Sequence, residues 1–144
     1  MTVIAWDGRM LAADKRSVCY GVMSTTTKIR RLETGEILAW SGNQDSGELL
    51  AKWYADGQDP TKWPECQKEE DTWSRLVVVK NRDCYFFERQ PVCVKVEDPF
   101  RAWGSGRDFA LAAMHLGKNA QEAVEIACLF ETGCGNGVNS YIAE

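Results

Sequence analysis

The feature that most constrains this chain is an Asp7-Gly8 pair that separates two short apolar runs near the start of the sequence. An Asp-Gly pair in this setting predicts a β-hairpin, because a type I′ turn needs positive φ at both central residues. A two-residue loop would place Trp6 opposite Arg9 and Thr2 opposite Ala13. The first two predicted strands therefore form an antiparallel pair whose open end lies at Thr2.

Asp14 ends the second predicted strand, so the hairpin brings it next to Thr2. Side chains alternate between the two faces of a strand, and strict alternation directs the Asp14 carboxylate to the face opposite Thr2. A contact between these two side chains therefore requires a bend or a bulge at the end of the strand.

Length and charge limit the classes of function that fit. The 144 residues predict one domain, residues 1–144, with a real core. The net charge is −4, and acidic and basic residues are interspersed without a basic stripe or a polybasic run. Neither nucleic acid nor a membrane surface is therefore a predicted partner.

The six cysteines indicate a reducing compartment. None of them forms a C-x-x-C pair, which argues against a zinc site and a redox motif, and no metal or cofactor is predicted. The first residues lack a basic region followed by an apolar stretch, and no segment is long and apolar enough to span a bilayer. We therefore expect reduced thiols and a cytoplasmic location.

Apolar periodicity predicts strands and helices in a mixed order. One helix is predicted to begin within 43–46 and to end at Gly57. Two further helices lie on either side of Gly117, whereas 57–71 is predicted to be a surface excursion without a helix. The later strands are predicted at 37–40, 76–79, 84–87, 92–96 and 138–143. Helices that cover antiparallel sheets describe a layered α+β domain.

Five segments carry a resemblance to a known family. They are, in chain order, Thr2-Val3-Ile4-Ala5, Leu11-Ala12-Ala13-Asp14, Thr27-Lys28-Ile29-Arg30-Arg31-Leu32, Ser41-Gly42 and Gly104-Ser105-Gly106. In this order they resemble the proteasome β-subunits and the bacterial proteasome-like peptidase HslV, which are N-terminal nucleophile (Ntn) hydrolases. The resemblance implies a four-layer αββα sandwich of two antiparallel sheets. One helical layer is expected to be shortened, because 57–71 stands where the family usually has a second helix.

The resemblance also implies roles for individual residues. Thr2 resembles the nucleophile, which becomes the first residue of the mature chain. Lys28 resembles the catalytic lysine, and Asp14 resembles the aspartate that holds this lysine. Gly42 resembles the oxyanion donor, and Ser105 resembles the serine that helps to position the terminal amine.

Near the last strand, many β-subunits carry an Asp-x-x-Ser-Gly segment with a similar positioning role. The corresponding segment here is Glu131-Thr132-Gly133-Cys134-Gly135, in which Glu131 and Cys134 are approximate matches. Cys134 is expected to be a small buried residue rather than a second nucleophile. The sole histidine, His115, is expected to be structural, since no serine or cysteine stands in a recognisable partner arrangement with it.

The chemical properties of these residues are also consistent with acyl transfer by Thr2 when the family resemblance is set aside. A threonine hydroxyl is a poor nucleophile until a base accepts its proton, and an unperturbed N-terminal amine, with a pKa of about 7.7 to 8.0, is such a base at neutral pH. An ammonium at Lys28 favours a developing alkoxide, and Asp14 keeps that ammonium in place. A backbone N–H at Gly42 can bind the oxyanion, and losing one such donor typically costs about 2.7 to 4 kcal/mol.

Each of these segments also has a purely structural interpretation. Thr2 can be a small residue after the initiator, and Asp14 with Lys28 can form a surface ion pair worth about 0 to 1 kcal/mol. Ser41-Gly42 can be a helix entry, and Gly104-Ser105-Gly106 can be a tight turn from a strand into a helix.

The sequence therefore predicts a threonine-nucleophile amide hydrolase, a peptidase that acts by acyl transfer through an ester on Thr2. We expect methionine aminopeptidase to remove Met1, because threonine is small. The alternative is a non-catalytic proteasome-like structural or assembly subunit, since one fold serves several functions. The resemblance implies a peptide or unfolded-protein substrate, a homo-oligomeric ring and an ATPase unfoldase as partner, and the six tryptophans also favour a homo-oligomer.

Overall fold

The computed structural model describes residues 1–144 and contains eleven strands and three α-helices. The strands are β1 (Val3–Trp6), β2 (Met10–Asp14), β3 (Arg16–Cys19), β4 (Val22–Thr25), β5 (Ile29–Arg31), β6 (Ile37–Gly42), β7 (Ser74–Lys80), β8 (Asp83–Phe87), β9 (Val94–Lys95), β10 (Arg101–Gly104) and β11 (Val138–Ile142). The helices are α1 (Gln44–Ala55), α2 (Arg107–His115) and α3 (Ala120–Phe130), and two 3₁₀ turns occupy Pro60–Lys62 and Glu65–Lys68.

Two antiparallel sheets lie face to face at the centre of the molecule. The first sheet has the strand order β10-β1-β2-β11, and the second has the order β5-β6-β7-β8-β9. Helices α2 and α3 cover the outer face of the first sheet, and α1 with the two 3₁₀ turns covers the outer face of the second. This arrangement is the αββα sandwich predicted from the sequence. The prediction that one helical layer is shortened is also confirmed, because the layer over the second sheet contains one α-helix.

Alternation along the strands explains how the layers are filled. In β1, Ile4 and Trp6 point between the sheets, whereas Val3 and Ala5 point towards α2 and α3. The same alternation in β2 directs Leu11 to the space between the sheets. Each of these β1 and β2 residues is buried, so the first hairpin has apolar contacts on both faces.

The first hairpin forms, but its register differs from the predicted one by two residues. Trp6 pairs with Leu11 instead of Arg9, and Ile4 pairs with Ala13. The loop therefore spans residues 7–10 and is longer than the two-residue turn that an Asp-Gly pair predicts.

The Asp7 carboxylate explains the longer loop. It accepts hydrogen bonds from the N–H groups of Arg9 at 2.8 Å and Met10 at 2.6 Å, which is the local capping that a short acidic side chain offers a turn. It also accepts a hydrogen bond from the N–H of Ala120 at 2.8 Å, at the start of α3. This second contact joins segments that are distant in the sequence, so the local pattern could not indicate it.

The predicted helix starts are confirmed at their caps. The side chain of Asn43 accepts a hydrogen bond from Ser46 N–H at 3.1 Å and begins α1. Asn119 and Glu122 form a capping box at the start of α3, with reciprocal bonds of 2.9 and 3.1 Å. Local side-chain chemistry therefore determines where these two helices begin.

Two segments differ from the sequence prediction. The predicted surface excursion at 57–71 has no α-helix, as expected, but Trp63 and Gln67 within it are buried against the second sheet. The predicted strand at 92–96 is reduced to Val94–Lys95 at the edge of the sheet. No helix in the structure has the length and apolar character that a membrane span requires.

Candidate active site

Thr2 lies immediately before β1 and is 4% exposed. Its carbonyl oxygen accepts hydrogen bonds from Gly106 N–H at 3.3 Å and from Ser105 Oγ at 3.4 Å. Gly104 has φ of +93°, and a Cβ at this position would lie 2.1 Å from the same carbonyl oxygen. Glycine is therefore required where the end of β10 passes Thr2, and the 104–106 segment holds the main chain of the candidate nucleophile.

Lys28 connects Thr2 with Asp14. Its Nζ donates to Asp14 Oδ1 at 2.9 Å, to Thr2 Oγ1 at 3.3 Å and to the carbonyl oxygen of Met1 at 3.3 Å. The Lys28 side chain is only 7% exposed, and its backbone carbonyl accepts a hydrogen bond from Trp40 N–H on β6 at 3.0 Å. Lys28 is therefore held by the second sheet, and its ammonium lies beside the hydroxyl of Thr2, which precedes the first sheet.

Asp14 is fully buried at the end of β2. Its Oδ1 accepts from Val3 N–H at 3.0 Å and from Lys28. Its Oδ2 accepts from Gly135 N–H at 3.0 Å and Arg16 N–H at 3.2 Å. A buried carboxylate needs such partners, and removing one member of a buried ion pair costs about 3–5 kcal/mol. The interpretation of Asp14 and Lys28 as a surface ion pair is therefore wrong.

The contact between the side chains of Thr2 and Asp14 is indirect, whereas the sequence raised the possibility of a direct one. Their side chains meet through the Lys28 ammonium, which hydrogen-bonds to both. The alternation of the two strands is therefore compatible with the cluster, and no direct contact between the hydroxyl and the carboxylate is needed.

Gly42 ends β6 and has φ of +112°, which favours glycine. A Cβ here would lie 2.8 Å from the carbonyl oxygen of Trp73 and 3.0 Å from Ser74 Cα. Gly42 also lines both of the cavities that border Thr2. The structure thus places the predicted oxyanion donor beside the candidate nucleophile.

The remaining predicted site residues lie at different distances from this cluster. Ser105 contacts Thr2 and also lies 3.7 Å from Cys134, measured from Oγ to Sγ. Burial raises the pKa of the Cys134 thiol, which therefore stays protonated at neutral pH. Glu131 caps the end of α3, and its carboxylate accepts from Gly133 N–H at 3.0 Å within its own turn. Glu131 is therefore joined to the loop and has no hydrogen bond to Thr2.

Two residues that support the site, Gly135 and Arg16, have no assignment from the sequence. The Gly135 N–H and Arg16 N–H complete the shell of Asp14, as described above. The guanidinium of Arg16 donates to Thr132 O at 2.7 Å and to Asn136 Oδ1 at 3.0 Å. These bonds fix the glycine-rich loop at 133–137.

Two cavities of about 310 Å³ each border Thr2. The first lies between the β3–β4 hairpin and the start of α1, and the second lies beside Trp73 at the start of β7. No group of three or more His, Cys, Asp or Glu side chains lies close enough together to hold a metal ion. The arrangement offers a buried ammonium, a hydroxyl and a glycine backbone at the junction of two cavities, which are the components of acyl transfer.

Comparison with known proteins found similarity in structure only. No protein-family model and no curated protein matches the chain. The BPH protein of Thiobacillus denitrificans, solved in complex with epoxomicin, has a TM-score of 0.76 and 20% identity, over 100% of this chain and 98% of that chain. HslV from Trypanosoma brucei has a TM-score of 0.70 and 18% identity, over 100% and 99% of the two chains.

Anbu, an ancestral beta-subunit from Yersinia bercovieri, has a TM-score of 0.73 and 10% identity, over 99% of this chain and 81% of that chain. These proteins are proteasome-type Ntn hydrolases. Similarity at such identities establishes the fold. The chain therefore has the αββα fold of the proteasome-type Ntn hydrolases, as the five sequence segments predicted.

Proposed function

We propose that this chain is a threonine-nucleophile amide hydrolase, a peptidase that acts by acyl transfer through Thr2. The observation that carries the proposal is the position of the Lys28 ammonium, within hydrogen-bond distance of both Thr2 Oγ1 and Asp14 Oδ1 in a buried setting. An ammonium at this place lowers the free energy of an alkoxide on Thr2 more than a solvent-exposed one would, because the site excludes most water.

The proposed reaction begins with proton transfer from Thr2 Oγ1 to the free α-amine of the same residue. The oxygen attacks the substrate carbonyl carbon, and a backbone N–H at Gly42 binds the oxyanion. The α-amine then gives its proton to the leaving amine, which departs and leaves an ester on Thr2. Water attacks this ester by the same route in reverse, with the α-amine as base. Asp14 positions Lys28 throughout, and Ser105 holds the main chain of Thr2.

This mechanism requires cleavage of the bond between Met1 and Thr2. While Met1 is attached, the nitrogen of Thr2 is an amide without useful basicity, and the Met1 carbonyl accepts a hydrogen bond from Lys28. Met1 itself is 63% exposed, whereas Thr2 is 4% exposed. The alternative function, a non-catalytic assembly subunit, is favoured by this same contact if Met1 stays attached in the assembled protein.

We also propose a homo-oligomeric ring that acts on peptides or unfolded protein in the cytoplasm, with an ATPase unfoldase as partner. The tryptophans do not support the ring, because five of the six are buried in the core of the chain itself. Better support comes from apolar side chains that α2 and α3 leave exposed. These are Phe109, Leu116, Leu129 and Phe130. The rings of Phe109 and Phe130 stack with centroids 5.5 Å apart, and exposed apolar contacts of this kind are typical of a contact surface.

The test is a comparison of Thr2→Ala with the unmodified chain in turnover of small peptide amides. We expect a loss on the order of 10⁴-fold or more, because the nucleophile is removed. Thr34→Ala, in an exposed turn, is the matched control and should keep full activity. Lys28→Ala should also abolish turnover, but it leaves Asp14 unpaired and costs about 3–5 kcal/mol of stability, so Thr2→Ala is the cleaner variant.

Intact-mass measurement of the same preparations shows whether Met1 is absent, and light scattering gives the oligomeric state. Epoxomicin, which the BPH structure contains, serves as a probe that should add its mass to the peptide that begins with Thr2. Full activity of Thr2→Ala, or complete retention of Met1 in active protein, would contradict the proposed function.

A further inference from the structure

The two cavities that border Thr2 share residues but differ in the rest of their lining. Met1, Thr2 and Gly42 line both of them. Lys28 lines the first cavity only, together with residues of the β3–β4 hairpin. Ser105 and Gly104 line the second cavity only, together with Ser41, Trp73 and Arg75. The candidate nucleophile therefore lies at a junction with two chemically different sides.

We infer that the second cavity binds the amine side of the substrate, and that Trp73 selects a large apolar residue immediately after the scissile bond. This inference rests on the proposed function, because it assumes that an acyl group is transferred to Thr2. Trp73 is then the specificity-determining residue for the amine part of the substrate, which leaves first.

The assignment of the two sides follows from the atoms of Thr2 that each cavity borders. The acyl group is bonded to the hydroxyl oxygen, which Lys28 contacts from the first cavity. The leaving amine must lie where it can receive a proton from the α-amine of Thr2. Ser105 and Gly104, which line the second cavity, contact the carbonyl group of Thr2, on the same backbone as the α-amine. We place the leaving amine on this side of Thr2, which leads towards Trp73.

Trp73 is held close to the reacting centre by its backbone. Its carbonyl oxygen is so close to Gly42 that a Cβ at position 42 would approach it to 2.8 Å. The indole is partly exposed, unlike the other five tryptophans, which are buried in the core. A partly exposed indole on a cavity wall, one residue from a buried strand, offers a flat apolar contact surface for a substrate side chain.

Arg75 determines the charge of this wall. Its guanidinium lies over the Trp73 ring, 5.5 Å from the ring centroid, and forms two hydrogen bonds with Glu88 at 2.8 and 3.1 Å. The Glu88 carboxylate balances the positive charge, and the planar guanidinium stacks on the indole and helps to hold its orientation. An apolar or aromatic side chain can pack here without leaving a charge unpaired, because the guanidinium is already paired with Glu88.

The reverse of the acylation step makes it possible to measure binding in the second cavity separately from binding in the first. An added amine attacks the ester on Thr2, a C–N bond forms and the C–O bond to Thr2 breaks. The amine proton passes through the α-amine to Thr2 Oγ1, and no oxidant or further reactant is needed. Because this step reverses acylation, the attacking amine occupies the place of the leaving amine. The yield of the transfer product therefore reports binding on the amine side alone.

The experiment uses the mature protein with a small peptide ester and either phenylalaninamide or glycinamide at equal concentration. Mass spectrometry gives the ratio of transfer product to hydrolysis product. We expect phenylalaninamide to be favoured about 10-fold or more in the unmodified chain, which is the range that apolar pocket contacts supply. Trp73→Ala should reduce this preference to about 2-fold or less. Trp73→Phe should keep most of it.

Tyr20→Ala is the matched control, because Tyr20 is a fully exposed aromatic at the tip of the β3–β4 hairpin and lines neither cavity. It should leave the preference between the two amines unchanged. If the unmodified chain releases no hydrolysis product, the proposed function itself fails. If hydrolysis proceeds but the two amines are used equally, or Trp73→Ala keeps the full preference, only the assignment of this cavity is overturned.

Discussion

The two helical layers of this molecule cover the outer faces of their sheets with side chains of different size. The layer over the first sheet has two helices whose buried side chains are mostly small: Ala110, Ala113, Met114, Ala120, Ala123, Val124 and Ala127. The layer over the second sheet has one helix, and this helix with the segment that follows it buries mostly large side chains: Leu50, Trp53, Tyr54 and Trp63. The first layer is filled by close approach of backbones and the second by side-chain volume.

Close approach in the first layer has a functional consequence. A Cβ at Gly106 would lie 2.9 Å from Val3 Cβ and 3.2 Å from both Ala127 Cβ and Cys134 Sγ. The start of α2 and the loop after α3 therefore pack closely against β1, the strand that follows Thr2. The small residues of this layer are what bring the 104–106 and 133–137 segments to the site.

Large rings replace a second helix in the other layer. Trp53 packs edge-to-face with Trp63, with ring centroids 4.7 Å apart, and with Phe87 at 5.4 Å. The Trp53 indole N–H also donates to Asp59 O at 2.8 Å, which ties α1 to the segment that follows it. This layer therefore depends on a few residues, whereas the first layer depends on many small contacts.

Truncation of a ring tests this comparison most strongly. Trp53→Ala should cost about 3–5 kcal/mol of unfolding free energy, because the cavity it leaves lies among rings that cannot collapse onto it. The matched change in the first layer is Ala127→Leu, which should cost about 1–3 kcal/mol by overpacking. Chemical denaturation of both variants gives the two values. A larger cost for Ala127→Leu than for Trp53→Ala would contradict the contrast between the layers.

Local chemistry explains how much of the fold could be predicted. The starts of α1 and α3 depend on caps that lie within four residues of sequence, so the start of α1 could be predicted within 43–46 and a helix could be predicted after Gly117. The register of the first hairpin could not, because Asp7 also bonds to Ala120, 113 residues away. The burial of Gln67 was missed for a similar reason, since its partners are on β7 and after β8.

The site shows the same division between local and distant information. The order of motifs identified Thr2, Lys28 and Asp14, and the structure brings these three together. Nothing in the sequence near Asp14 could show that Gly135 donates to it, because that contact depends on how the loop after α3 folds back. Glu131 matched the family's segment by spacing, but its carboxylate is engaged by its own turn.

Gln67 offers a second test, because a layer without a second helix must satisfy its backbone groups by other means. The buried Gln67 amide donates to Ser74 O and Glu88 O, both at 2.7 Å, and accepts from Ser74 N–H at 2.8 Å. Gln67→Leu keeps the apolar volume but leaves these groups unpaired, so we expect a loss of about 1–3 kcal/mol. Gln90→Leu, at an exposed position, is the control. Equal stability of the two variants in urea denaturation would show that the layer does not depend on this amide.

The smallest expected effect lies at Asp59, in the same non-helical segment. Its Oδ1 accepts hydrogen bonds from Thr61 Oγ1 at 2.8 Å and from Thr61 N–H at 3.0 Å. These bonds lower the pKa of the Asp59 carboxyl, the side-chain bond most. Because the folded pKa lies below the unfolded one, the carboxylate stabilises the fold above the unfolded pKa. This contribution is lost as the pH falls through the folded pKa.

Thr61→Val removes the hydroxyl donor and keeps the N–H, so the pKa of Asp59 should rise while staying below its ordinary value. An NMR titration of the Asp59 carboxyl carbon measures this change, with Thr34→Val as the control at a distant exposed turn. The change in stability should be small, because Asp59 is at the surface and solvent screens its interactions. An unchanged Asp59 titration in Thr61→Val would mean that the hydroxyl bond does not hold this turn. The tie between Trp53 and Asp59 O would then remain as the contact that fixes the segment after α1.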